Sequence, residues 1–102
     1  MKKILVIGAG RSASTLIKYL IDNSNINNWN ITIADSNIDL ARKKTSNSLN
    51  AKAVFFDAFD VNKRQKLIND SDVVVSMLPS NLLIIIAKDC LMYSKNLITA
   101  SY

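Results

Sequence analysis

Short apolar runs alternate with amphipathic stretches from one end of the chain to the other. Lys3 to Gly8 turns apolar after its first residue and ends in glycine, the pattern of a strand buried on both faces of a parallel sheet. The period then changes. Ala13, Leu16, Ile17, Leu20 and Ile21 recur at helical spacing, which predicts an amphipathic helix over Arg11 to about Asn23. The Asn-rich stretch Asn23 to Asn30 reads as a loop. Ile31 to Ala34 makes a second strand ending at Asp35, and Ile38 to about Leu49 a second helix with Leu40 and Ala41 inward. Ala53 to Phe56 is a third strand ending at Asp57, followed by a weaker helix over Asn62 to Asn69 with Leu67 and Ile68 inward. Asp72 to Met77 is the most β-branched strand, Pro79 stops it, and Ser80 and Asn81 are placed to cap a very apolar helix from Leu82 to Tyr93. Asn96 to Ser101 gives a fifth strand.

Strict β-α alternation with right-handed crossovers predicts an α/β fold of Rossmann type: a five-stranded parallel sheet in the order 3-2-1-4-5 with helices on both faces. At 102 residues this is one domain, with no linker and no internal repeat. Composition agrees, with 49% apolar and 21% charged residues.

Composition also narrows the chemistry. The chain has no histidine and a single cysteine, Cys90, so a histidine-based metal site, a Ser-His-Asp triad and an internal disulfide are excluded, and Cys90 reads as buried packing. No catalytic residue and no metal ligand is expected within these residues. Lys2 and Lys3 ahead of Ile4 to Ala9 imitate a signal peptide, but Arg11 follows at once and a buried strand explains the run. Leu82 to Ala87 is far below the ~20 residues that span a bilayer, so no membrane partner and a reducing cytoplasm are expected. The net charge of +5 invites nucleic acid as a partner. Its distribution argues against that, because only Arg42, Lys43 and Lys44 cluster and no aromatic residues interleave with them.

The turn after the first strand carries the functional signal. Gly8-Ala9-Gly10-Arg11-Ser12-Ala13 is the GxGxxA form of a dinucleotide fingerprint, and it contains the only two glycines in the chain. Gly8 suits the tight strand-to-helix turn, Gly10 leaves room for a pyrophosphate against the backbone, and Ala13 lets the helix pack closely on the strand. The amides of Arg11, Ser12 and Ala13 are expected to point at the phosphates, aided by the helix dipole. Asp35 lies 22 residues past Ala13, at the end of the second strand, where an acid accepts hydrogen bonds from the adenosine ribose hydroxyls. Its alternative role is to start a turn or cap the second helix. A carboxylate there repels a 2′-phosphate, so NAD is expected over NADP, and Ser36 and Asn37 bring no arginine to reverse this. Strand-end positions add Asp57 at the adenine edge and Met77-Leu78-Pro79 beneath the nicotinamide-side ribose, each equally open to a plain turn role.

From Ile4 onward the sequence resembles the N-terminal domain of saccharopine dehydrogenases and reductases. The opening ILVIGAGRSAS, the strand ITIAD, SDVVVSMLP followed by AKDCL, and the terminal ITASY carry the resemblance. It implies hydride transfer between NAD and the C–N bond of saccharopine. It also implies cofactor contacts from Arg11, Ser12, Ala13 and Ser14, from Asp35, Ser36 and Asn37, from Asp57 and Ala58, from Met77 and Leu78, and from Thr99, Ala100 and Ser101. Ser101 and Tyr102 are implied to meet the amino-acid substrate. Leu83 departs from the family, whose members commonly carry histidine there. Related enzymes continue past the position of Tyr102 into a substrate domain, so these residues are expected to be a fragment that is inactive alone. An apolar patch on the fourth helix, Leu82 to Ile86, is expected to be exposed and to favour a homodimer. Two alternatives stay open: a polyamine-imine enzyme of the same superfamily, and a stand-alone NAD-sensing regulatory module.

Overall fold

The computed structural model of the chain describes residues 1–45 and 48–99. In chain order its elements are β1 (Lys2–Ile7), a 3-10 turn (Arg11–Ala13), α1 (Ser14–Asp22), α2 (Ser24–Asn27), β2 (Trp29–Asp35), α3 (Ile38–Thr45), β3 (Ala51–Phe55), α4 (Val61–Asn69), β4 (Val73–Ser76), α5 (Ser80–Met92) and β5 (Asn96–Thr99). The strands form one sheet in the order β3-β2-β1-β4-β5, and every pairing is parallel. This is the expected topology.

The centre of the sheet is β1, and its alternation divides the core. Ile4 and Val6 point to one face, where Ile17 and Leu20 of α1 and Ala41 of α3 cover them together with Ile31, Ile33 and Val75. Leu5 and Ile7 point to the other, where Ile68 of α4 and Ile86 and Cys90 of α5 pack with Ala34, Phe56 and Val74. From Ile4 to Ile7 the strand is buried on both faces and has no polar position to offer, which is why that stretch reads as a continuous apolar run after two exposed lysines.

Local chemistry moves several boundaries. The Asn23 to Asn30 stretch contains the extra turn of helix α2, because Asn side chains supply the missing local bonds: Asn27 Nδ2 donates to the Asn23 carbonyl at 2.8 Å and Asn23 Nδ2 to the Tyr19 carbonyl at 2.8 Å. Asn28 ends that turn in the left-handed region, φ 57°, a conformation asparagine tolerates. The described part of α3 runs Ile38–Thr45, and Leu49, expected near the end of this helix, is fully exposed outside it. Ser80 and Asn81 do not cap α5 from outside, being its first two residues. Pro79 does, with its ring-fixed φ of −64° and a carbonyl that receives the amides of Leu82 and Leu83 at 3.0 and 2.9 Å. Asp60 caps α4 by accepting from the Lys63 amide at 3.3 Å. On α5 the apolar run Leu82 to Ile86 is split: Ile86 is buried and Ile84 is exposed, as are Leu91 and Met92 farther along.

At the amino edge of the sheet the carboxylate of Asp72 accepts the Lys3 amide at 2.8 Å, closing the end of β1. That backbone bond holds the Asp72 carboxyl below its ordinary value of 3.8, with help from the charges of Lys2, Lys95 and Lys3. A depressed folded pKa contributes stability that is complete above the unfolded value and is lost as pH falls through the lower folded one. Asp72→Asn should therefore be less stable than wild type at pH 7, with the gap closing in acid, as urea titrations at both pH values would measure. A gap that persists unchanged in acid would refute the assignment. Ile17→Ala and Ile86→Ala each empty a site at or below 1% exposure, on opposite faces of the sheet. Each should cost about 2–5 kcal/mol and the two losses should nearly add, whereas Ile84→Ala should be close to neutral in the same denaturation assay.

Candidate functional site

The two glycines of the turn after β1 answer to different demands. Gly8 sits at φ +102°, and a Cβ built on it lies 3.1 Å from Met77 Cβ, so the fold itself requires glycine there. Its amide donates to the Ala34 carbonyl at 2.8 Å. Gly10 has φ −69° and ψ −177°, open to any residue, and a Cβ built on it meets nothing within 4 Å. Neither backbone strain nor packing accounts for glycine at this position. The space beside it is open.

Beyond Gly10 the chain makes the tight turn Arg11–Ala13 before α1 begins. Ala13 is buried in the core, as close packing of helix on strand demands. Its amide, however, donates to the Gly10 carbonyl at 3.0 Å and is not presented outward. This corrects the expected trio of phosphate-facing amides. Those of Arg11 and Ser12 meet no carbonyl among the described residues, and both residues are exposed. The Ser14 hydroxyl accepts a hydrogen bond from the Lys44 ammonium of α3.

Asp35 is tied on both oxygens. Oδ2 accepts the Ala9 amide at 2.7 Å and Oδ1 the Asn37 amide at 2.7 Å, so one carboxylate joins the glycine turn to the turn that opens α3. A carboxylate offers about four acceptor positions, which leaves two for a ribose diol. Asp35 does start a turn, yet it does not cap α3. Asn37 does, its Oδ1 accepting the Leu40 amide at 3.1 Å, which engages one acceptor position of a side chain expected to touch cofactor.

A cleft of about 390 Å³ opens at this carboxyl edge of β1, β2 and β3. Gly8, Asp35, Ser36, Asp57, Ala58 and Leu78 from the expected set line it. Phe55, Phe56, Phe59 and Leu82 line it too, and none of these was singled out by motif. Phe55 and Phe59 are 56% and 73% exposed, more than is usual for large aromatic side chains. The signal for them was their position, on either side of the strand-end Asp57. That residue folds its own turn, Oδ1 accepting the Phe59 amide at 2.9 Å. Met77 lies behind Gly8, its amide on the Ile7 carbonyl at 2.9 Å. Thr99 pairs in register with Ser76 at the same edge of the sheet and is exposed. Ala100, Ser101 and Tyr102 lie outside the described residues.

Away from the cleft, Cys90 is buried, and burial followed by the Asp89 charge raises its thiol pKa, so it is a packing residue. Asp89 is ion-paired with Arg64 inside the protein. Among the described residues, no helix is long and apolar enough to cross a membrane, and no group of three or more histidine, cysteine or acidic side chains could hold a metal.

Comparison with known proteins places this geometry in a family. Residues 4–102 match the family model described as the saccharopine dehydrogenase NADP binding domain. The mitochondrial alpha-aminoadipic semialdehyde synthase of Rattus norvegicus is 32% identical over 99% of this chain, which spans 11% of that protein. The saccharopine dehydrogenase [NADP(+), L-glutamate-forming] of Schizosaccharomyces pombe is 28% identical over the full chain, which spans 22% of it. The structure of the apo, L-Glu-forming saccharopine dehydrogenase of Saccharomyces cerevisiae superimposes with a TM-score of 0.87 at 27% identity, covering all of this chain and 22% of that one. The chain thus spans between a tenth and a quarter of these relatives' length, and it belongs to the saccharopine dehydrogenase NADP-binding domain family.

Proposed function

We infer that these residues bind a nicotinamide dinucleotide and serve as the nucleotide-binding domain of an oxidoreductase acting on saccharopine in lysine and aminoadipate metabolism. The observation that carries the reading is Gly10, a glycine that the fold does not need beside space that a side chain would fill. A pyrophosphate in that space would meet the free amides of Arg11 and Ser12, and the dipole of α1 would favour its charge. The apolar cleft between Asp35 and Phe59 suits the adenosine half. The cofactor supplies the hydride chemistry, and the chain's residues hold and orient it. The amino-acid substrate would be met by residues outside this domain, so the domain alone should bind dinucleotide without oxidising saccharopine.

The two glycines make the test. Gly8→Ala should destabilise the protein by about 1–3 kcal/mol, because it forces a side chain into the left-handed region against Met77. Gly10→Ala should keep the wild-type melting temperature or exceed it slightly, yet weaken NADH binding by roughly tenfold or more, with Gly10→Val worse. Undiminished NADH affinity in Gly10→Val, followed by fluorescence titration, would overturn the reading.

For cofactor choice we infer NAD. The family description and the fission-yeast relative's name carry NADP. The support for NAD is the Asp35 carboxylate on the cleft wall, with Ser36 beside it and no arginine next to it in sequence. A 2′-phosphate brought to hydrogen-bond range of that carboxylate is repelled, so NAD should bind roughly tenfold or more tightly than NADP. Asp35→Asn keeps an acceptor for the Ala9 amide while removing the charge. Combined with Ser36→Arg, which adds a planar cation suited to phosphate, it should swing the preference toward NADP. Tighter binding of NADP by the wild type would sink the inference.

A further inference from the structure

Arg64 is a charge in an unexpected place. It lies on α4 with 8% exposure, where the helical pattern called for no inward cation. Its guanidinium is engaged at all three nitrogens: Nε and Nη2 reach the two carboxylate oxygens of Asp89 on α5, and Nη1 donates to the Ala58 carbonyl at 2.7 Å. Asp89, itself 3% exposed, also accepts from Gln65 Nε2 at 3.3 Å, and Gln65 Oε1 accepts from the Tyr93 hydroxyl at 3.4 Å. The result is a buried polar network between α4 and α5 with one arm extended to the loop after β3.

Stability is a poor explanation for such a network. The desolvation of two buried charges roughly cancels their attraction, and a well-packed apolar pair often does as well. The arm to Ala58 is what an apolar pair cannot supply. Ala58 belongs to the turn Asp57–Asp60, whose internal bonds, Asp60 amide to Asp57 carbonyl at 3.1 Å and Phe59 amide to Asp57 Oδ1, shape the turn without attaching it to α5. Arg64 makes that attachment. The turn carries Phe59, largely exposed at the rim of the cleft, and Phe55 stands at the end of the neighbouring strand. Flat aromatic faces left open beside a cleft suit a planar heteroaromatic ring, since every base presents a π-face for stacking.

We propose that Arg64, anchored by Asp89, is a positioning residue that holds the Asp57–Asp60 turn so that Phe59 forms a stacking wall for the adenine ring. The proposal rests on the dinucleotide reading above. It makes adenine-end affinity depend on an ion pair that touches no part of the ligand.

The experiment compares ADP with inorganic pyrophosphate, because both engage the glycine turn and only ADP reaches the Phe59 wall. Calorimetric titrations would be run on wild type, on Arg64→Met/Asp89→Leu, which removes both charges and leaves none unpaired, and on the exposed-site variants Phe59→Ala and Phe59→Tyr. The double variant and Phe59→Ala should each weaken ADP roughly tenfold while leaving pyrophosphate unchanged, and Phe59→Tyr should retain ADP affinity. A purely structural role would change melting temperature or weaken both ligands in proportion, leaving their ratio fixed. An unchanged ratio in the folded double variant overturns the role of Arg64. Should that variant not fold, an unchanged ratio in Phe59→Ala overturns the stacking wall on which that role depends. Failure of the wild type to bind either ligand would instead sink the dinucleotide reading, and this proposal with it.

Discussion

Everything at the functional edge depends on how closely three strands converge on Gly8. Its amide bonds to the end of β2 through the Ala34 carbonyl, the preceding Ile7 carbonyl takes the Met77 amide at the end of β4, and the next amide, that of Ala9, goes to Asp35. The chain can turn through this junction only at a φ of +102°, with the Met77 side chain 3.1 Å from where a Cβ would be. Because β1 is hydrogen-bonded on both sides, the turn cannot relax by shifting the strand. The rigidity of the glycine turn is therefore a property of the whole sheet, and the open space beside Gly10 is held by the same junction.

Most of this was legible because buried parallel sheets write themselves plainly. A strand covered on both faces must be apolar throughout, and a crossover helix must be amphipathic, so period recovered the strands and the crossover helices, and the crossover rules their order. The two-glycine turn and the strand-end acid were readable because few other demands place those residues there. What period could not convey was the polar side chain's choice of partner. Asp35 was expected at a ribose, and what the structure shows is a carboxylate that staples two turns together through the Ala9 and Asn37 amides, a link that exists only once β1 and β2 are adjacent. Arg64 was invisible for a similar reason. A cation on a helix reads as solvated until a carboxylate 25 positions away is brought into the same interior. The α2 turn escaped because its bonds come from asparagine side chains, which period does not register.

The charge of the chain is distributed to match. Asp35 and Asp57 sit at the cleft, while the compact basic trio lies on α3, where Lys44 reaches back to Ser14 at the start of α1. Lys44 thus stands beside the start of α1, and two carboxylates line the cleft. Under the NAD reading proposed above, the uncharged far ribose would face these carboxylates, whereas the family's description names NADP.

The two edges of the sheet differ in a way that the direction of its strands dictates. At the amino edge the first amides of β1 are taken within the protein, Lys2 by the Asn28 carbonyl and Lys3 by the Asp72 carboxylate. At the carboxyl edge each strand must hand over to a helix, and a helix begins with amides that have no carbonyl to meet. Side chains settle part of that debt at α3 and α4, where Asn37 and Asp60 accept from the first turn. α5 starts on the Pro79 carbonyl without a side-chain cap, and the helix that follows Gly10 likewise has none, either at its 3-10 entry or at α1. Among the described residues, a helix entry without a capping side chain, two free amides and a glycine that packing does not require all coincide there. Stability alone would have favoured serine or aspartate as a cap at that position. An anion brought from outside satisfies the same amides, and it can do so only while the cap is left out.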